Sequence, residues 1–250
     1  MKFHEFGDKN NKTMLLIHGV LTPWQIWQPQ IDFFKDNYRV IVPALDAHIE
    51  DEKSEFLSID DEAEQIEEYV KTNLGGSVYA LCGLSMGGKI ANRIFERSNI
   101  GVKNLVLDGA PLVKGSVIAK RFMIMSYKSI IRKSQQRDQG TLENFKRDFL
   151  PEKYLDTFLK FADTMSDESI ENMIGSVCDI TFEPVDNKNT KILFMHGTKG
   201  NEVYAKKSAK KMRGLYGGSV TIKRFDGCKH CETAVYNPEK WCDTVNDFLG

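Results

Sequence analysis

Short apolar runs and helical apolar stripes take turns along most of this chain. Residues 13–17, 38–45, 78–82, 102–107, 191–195 and 220–225 are each compact and largely apolar, the pattern of buried strands. Between them apolar positions recur every three or four residues. Trp24, Trp27, Ile31 and Phe34 predict a helix over 24–34, with Pro23 in its first turn. Ile59, Ala63, Ile66 and Val70 predict a second, stopped by Gly75-Gly76. Ile90, Ala91, Ile94 and Phe95 predict a third. A lysine-rich helix is expected over 204–212, and a closing helix over 238–249 with Trp241, Val245 and Phe248 on one side. The polar segment 1–12 has room for one edge strand, and 47–57 reads as a charged loop.

The alternation breaks once. From Leu112 to about Asn189 there is no clear strand, only helical spacing: Ile118, Phe122 and Met125, then Leu142, Phe145 and Phe149, then Leu155, Phe158 and Leu159, then Ile170, Met173, Ile174 and Val177. The expected organisation is an α/β core from residues 1–111 and 190–250, interrupted by a helical insertion at 112–189. Strands alternating with helices on both sides of the break predict a mostly parallel sheet covered by helices.

Composition narrows the picture. The chain has 250 residues, 41% of them apolar, and a net charge of −1, so nothing global points to nucleic acid. The start, Met1-Lys2-Phe3-His4-Glu5, does not read as a secretion signal, and no apolar run approaches a membrane span. The cysteines, Cys82, Cys178, Cys228, Cys231 and Cys242, are odd in number and sparse, which argues for free thiols and a soluble, cytoplasmic protein. Cys228 and Cys231 lack a second C-x-x-C pair, so no metal is expected, and no cofactor motif is present. The acidic residues Asp60, Asp61, Glu62, Glu64, Glu67 and Glu68 are expected on a solvated helix face. So is the basic cluster Lys206, Lys207, Lys210, Lys211 and Arg213.

The candidate chemistry centres on Gly83-Leu84-Ser85-Met86-Gly87, a full G-x-S-x-G between an apolar strand and a helix. That context lifts a serine above the carboxyl edge of a sheet, at a helix N-terminus whose free N–H groups face developing negative charge. Ser85 needs a base. His4 lies in the polar N-terminal segment, His18 and His196 end strands inside His-Gly turns, and His48 sits in a charged loop. His230 follows the last strand and precedes the last helix, so it is expected at the same edge as Ser85. It would take the serine proton and return it to the leaving group. An oxyanion would need two donors, expected from the backbone N–H groups of Met86 and Val20.

The order of these features resembles the α/β-hydrolase superfamily over essentially the whole chain: His-Gly turn, elbow, helical insertion, strand, late histidine. Gly-Leu-Ser-Met-Gly-Gly at 83–88 and residues 13–21 with Trp27 are similar to its small esterase, lipase and C–C hydrolase branch. The resemblance implies a three-layer α/β/α sandwich with a helical cap at 112–189, catalytic Ser85 and His230, and an acid between them in sequence. The short N-terminus implies that the first strand or two of the family sheet are reduced or absent. The family's usual acid position holds Gly200 here, which leaves Glu202, two residues on, or Asp108, at the end of the preceding strand. Each has a plainer role, Glu202 as a helix N-terminal acid and Asp108 as a strand-end residue.

The resemblance implies a serine hydrolase acting on a small-molecule carboxylic ester through an acyl-enzyme. C–C cleavage, lyase chemistry and a non-catalytic ligand-binding member are the alternatives. Residues 114–137 carry seven basic side chains and no acidic one. The expectation there is a cap helix with one face on the core and the other in water. A mobile lid over an acyl site, or contact with anionic lipid, is the second reading. Oligomeric state is left open.

Overall fold

The computed structural model describes residues 1–186, 189–200 and 202–250. Asn187 and Lys188, near the end of the predicted insertion, and Asn201, in the loop before Glu202, lie outside them.

Seven strands form one sheet, in the order β1-β3-β2-β4-β5-β6-β7. The strands are β1 (Lys2–Phe6), β2 (Lys12–Ile17), β3 (Tyr38–Ala44), β4 (Ser77–Leu84), β5 (Gly101–Asp108), β6 (Lys191–Gly197) and β7 (Val220–Phe225). Only β1 runs antiparallel, pairing Lys2 with Ala44 and Phe6 with Val40. All the other neighbours are parallel. The central strands are buried on both faces, which explains their near-continuous apolar runs.

Helices cover both faces. On one, α1 (Gln28–Phe34) packs against α10 (Pro238–Leu249), which follows the short α9 (Glu232–Tyr236). Trp27 and Trp241 meet there, with ring centroids 5.1 Å apart, and both are buried. On the other face α2 (Ile59–Asn73) packs on α3 (Met86–Arg97), which lies against β4 and β5. Helix α8 (Val203–Tyr216) packs on β6 and β7.

Two local expectations are corrected. The helix predicted over 24–34 is split. Residues Trp24–Trp27 form a 3-10 turn, and the α-helix begins only at Gln28. Pro29 is the reason: it has no N–H to donate and fits only the first turn of a helix. The acidic face of α2 is not wholly solvated, because Glu62 and Glu67 are buried. Glu67 accepts two bonds from Arg97 Nε, at 3.0 and 3.1 Å, and one from Asn99 at 2.8 Å. Glu62 accepts from the Asp46 N–H at 3.4 Å; burial pushes its carboxyl well above the usual range.

Between β5 and β6 the described residues form four α-helices: α4 (Val117–Gln135), α5 (Gln139–Asp148), α6 (Leu155–Ala162) and α7 (Asp167–Asp179). Three start on a capping side chain. Ser116, Asp138 and Ser166 accept the N–H of Ala119, Thr141 and Ser169 at 3.1, 2.8 and 3.0 Å. Phe145 stacks on Phe158 at 4.2 Å, and Phe158 meets Phe161 edge-on at 5.4 Å. These rings join the same continuous core as the sheet. Helix α7 is also tied to the 47–57 loop, since Phe56 N–H donates to Ser169 Oγ at 3.0 Å. At the other end of α7, the buried Lys89 ammonium of α3 donates to the Val177 carbonyl. No helix among the described residues is long and apolar enough to cross a membrane.

Candidate active site

The turn from β4 into α3 places Ser85 in a conformation that few L-residues adopt, φ 53° and ψ −110°. The surrounding backbone holds it there. Ser85 N–H donates to the Asp108 carbonyl at 2.8 Å, and Lys89 N–H to the Ser85 carbonyl at 3.1 Å. The glycines of the motif are needed for contact rather than flexibility. A methyl group at Gly83 would sit 2.3 Å from the Gly87 carbonyl oxygen, and one at Gly87 2.3 Å from that of Ile17. No side chain fits either gap, so strand and helix approach to backbone contact and Ser85 is pushed to the edge of the sheet.

His230 reaches this edge from the loop between β7 and α9. Its Nε2 lies 2.9 Å from Ser85 Oγ, and its Nδ1 lies 2.5 Å from Glu202 Oε1. The second carboxylate oxygen, Glu202 Oε2, accepts the Gly197 N–H at 2.9 Å. Glu202 stands at the start of α8, yet its side chain does not cap that helix. It turns back to β6 and the histidine instead. Gly200, two residues before Glu202, has a left-handed φ of +67°. With Nδ1–H directed at the carboxylate, Nε2 is left with its lone pair toward the serine hydroxyl.

Asp108 is also buried here, but not in hydrogen-bond contact with His230. Its Oδ2 and the Trp241 indole N–H are both buried, and the indole N–H faces this carboxyl closely enough to favour its charged form. Burial, with the Glu202 charge adding to it, pushes the Asp108 carboxyl up to about 7. The structure thus brings Glu202, not Asp108, to the imidazole. Gly109 follows in a left-handed conformation, and a methyl group there would lie 2.7 Å from both His230 Cε1 and Cys231 Sγ.

Met86 and Val20, the expected donors, line one cavity with Ser85 and His230. Met86 N–H belongs to the first turn of α3, which has no intrahelical acceptor for it. Val20 lies on the loop after β2, next to Leu21, a non-glycine residue at φ 54°. Leu21 N–H donates at 3.1 Å to Nε2 of His48, a residue the sequence placed in a charged loop and the structure buries. His18 and His196 each direct Nδ1 at the carbonyl of the following glycine, as turn residues do.

The cavity has a volume of about 730 Å³. Its walls are mostly apolar: Leu84 and Val113 near the sheet, Phe122, Met123, Phe149 and Ile174 from the inserted helices. The cationic side chains on it, Lys199 and Lys229, come from the same side as His230. The five cysteines are free. Cys228 and Cys231 do not form a metal cluster with His230, whose two nitrogens are already directed at Ser85 and Glu202.

The sequence model described as the alpha/beta hydrolase fold matches residues 12–176, well over half the chain. The chain belongs to the alpha/beta hydrolase family. Among curated proteins, epoxide hydrolase 3 of Xenopus tropicalis is 31% identical over 121 residues. That match covers 44% of this chain and 31% of the relative's length. Among solved structures, an alpha/beta hydrolase family protein from Desulfitobacterium hafniense superposes with a TM-score of 0.78 at 20% identity, covering 100% of both chains. A thermophilic esterase from Thermogutta terrifontis gives 0.73 at 16% identity, over 99% of this chain and 92% of that one. At these identities the structural likeness is one of fold.

Proposed function

We propose that this hydrolase-fold protein is a serine hydrolase that cleaves a carboxylic ester through an acyl-enzyme on Ser85. The observation that carries the reading is the unbroken relay from Ser85 Oγ through His230 to Glu202, with spacings of 2.9 and 2.5 Å, on the wall of an apolar cavity. His230 takes the hydroxyl proton as Oγ attacks the ester carbonyl. It then protonates the departing alkoxide, and finally activates the water that releases the acid. Glu202 holds the imidazole in the tautomer this needs and stabilises the imidazolium. The N–H groups of Met86 and Val20 receive the oxyanion. The inserted helices act as a cap whose apolar side chains take the acyl group, and the reaction calls for no cofactor. The esterase likeness in fold and the epoxide hydrolase match agree with hydrolysis as the reaction class.

The test is covalent labelling with a fluorophosphonate, read by intact mass and peptide mapping. One adduct on Ser85 is expected in the wild type and none in Ser85→Ala, with labelling strongly slowed in His230→Ala. Folded wild-type protein that takes up no label would overturn the reading.

A further inference from the structure

A helix laid over a core normally turns its apolar face inward. Helix α4 does so with Met123, Ile124, Tyr127, Ile130 and Ile131, which are buried or packed against the core. It also carries a second apolar face that points to water. Val117 is 68% exposed, Ile118 83%, Phe122 71% and Met125 71%. Residues 118, 122 and 125 follow helical spacing, so these side chains form one stripe. Single exposed apolar residues are ordinary, but four within nine residues make a patch.

Charge sets what fits it. Arg121 stands exposed within the stripe and Lys114 just before it, and neither makes an ion pair among the described residues. Of the other cations on α4, Lys133, two turns beyond the stripe, is likewise exposed, and the remaining three are paired. Lys120 pairs with Asp179, Lys128 with Glu171, and Arg132 with Asp167. Those pairs use the acidic groups of α7, and α4 has no acidic residue of its own. The patch therefore presents apolar side chains and uncompensated positive charge together. A second copy docking by a two-fold axis would bring each cation toward its own twin, which disfavours a dimer. An anionic lipid surface supplies both an apolar layer and the missing counter-charge.

The patch is continuous with the cavity. Phe122 both protrudes to water and lines the cavity wall, together with Ala119 and Met123. Tyr236, on another part of the wall, is also half exposed.

We propose that the outer face of α4 docks on an anionic lipid membrane, so that an apolar ester enters the Ser85 cavity directly from the lipid. The delivery half rests on the ester-hydrolase reading above; the docking half does not, and the experiment keeps the two apart. The full chain carrying Ser85→Ala is sedimented with vesicles of equal phosphatidylglycerol and phosphatidylcholine, and with vesicles of phosphatidylcholine alone. Binding to the anionic vesicles is expected, at least tenfold weaker to the neutral ones and at least tenfold weaker on adding 0.5 M salt, which shortens the Debye length to about 4 Å.

Arg121→Glu, and separately Ile118→Ser with Met125→Ser, are expected to weaken vesicle binding about tenfold or more. None of these three side chains lines the cavity. In the wild-type background the same variants are expected to take fluorophosphonate on Ser85 at the wild-type rate, which shows them folded. Failure of the folded protein to sediment with anionic vesicles overturns the proposal. So does equal binding by the variants, or a dimer that both sets of substitutions dissolve. Folded wild type that binds anionic vesicles but takes no fluorophosphonate would instead overturn the hydrolase reading alone.

Discussion

His18 and His48 hold each other's loops by a reciprocal exchange. Nε2 of His18 accepts the Leu45 N–H at 3.2 Å, and Nε2 of His48 accepts the Leu21 N–H at 3.1 Å. The rings meet edge-on, 5.0 Å apart, and both are buried. Each directs Nδ1 at a backbone carbonyl, Gly19 for His18 and Asp46 for His48, so both are neutral with the proton on Nδ1. The exchange fixes the loop that carries Val20.

His48→Phe keeps the ring volume and removes the acceptor of Leu21 N–H. A buried donor left without a partner costs about 1–3 kcal/mol. In the ester-hydrolase reading, the loss falls on the oxyanion donor next door. The expected outcome is a drop of about tenfold or more in kcat with little change in KM, measured on a soluble ester. A rise in KM at constant kcat would show that His48 shapes binding instead.

The same pair predicts an acid-sensitive fold. Burial lowers His48 to about 4 and His18 well below its ordinary value, with the neighbouring His48 charge adding to the effect on His18. In the unfolded chain both take a proton near pH 6.5. The folded state resists protonation, so stability is complete above about pH 6.5 and falls as the pH drops toward 4. For His48 alone the loss approaches roughly 3 kcal/mol. Thermal melts between pH 7.5 and 4.5 should show a steeper decline in wild type than in His48→Phe.

Glu202 and Asp108 separate cleanly. Glu202→Gln should leave the chain folded and lower kcat by about two to four powers of ten, because the imidazole loses its orienting charge. Asp108→Asn should leave most of the activity. Its carboxyl, raised to about 7, is stabilising when protonated, so stability falls as pH rises from about 4 through 7. Asp108→Asn removes that decline. Its melting temperature should exceed the wild type's by more at pH 8 than at pH 4.5, and an equal gain at both would contradict the raised carboxyl.

Gly109→Ala tests the wall behind the histidine. The new methyl would stand 2.7 Å from His230 Cε1 in a backbone region that alanine avoids. A loss of about 1–2 kcal/mol of stability is expected. Fluorophosphonate labelling should slow at least tenfold as the ring is displaced. Labelling at the wild-type rate in a destabilised variant would show that the ring tolerates the shift.

Much of this was legible in residue order. The elbow, the six parallel strands and the four inserted helices follow from apolar spacing, because each is specified by its own segment. Met86 and His230 could be placed because each is tied in sequence to a strand end. What failed depended on partners far along the chain. Glu67 reads as a solvated acid until Arg97, at the end of α3, and Asn99, just beyond it, close on it. His48 lies in the loop the sequence indicates, but its burial is not legible there because Leu21, its donor, is 27 positions away. Residue order leaves the acid between Glu202, placed first, and Asp108, since which side chain reaches the imidazole depends on three-dimensional reach that spacing does not reveal. Pro29 was visible and splits the predicted first helix, a local rule that the apolar stripe masked.

One contact joins the serine's own helix to the insertion. Lys89, four residues after Ser85, donates its ammonium to the last turn of α7 at Val177. Burial holds this lysine down to about 8, so it is charged for most of the neutral range with little water to help it. Lifting α7 would strip a near-dry cation of that acceptor, with the charges of Glu96 and Asp179 left nearby. The cost of opening the roof over the cavity is therefore set in part by the same helix that presents the nucleophile.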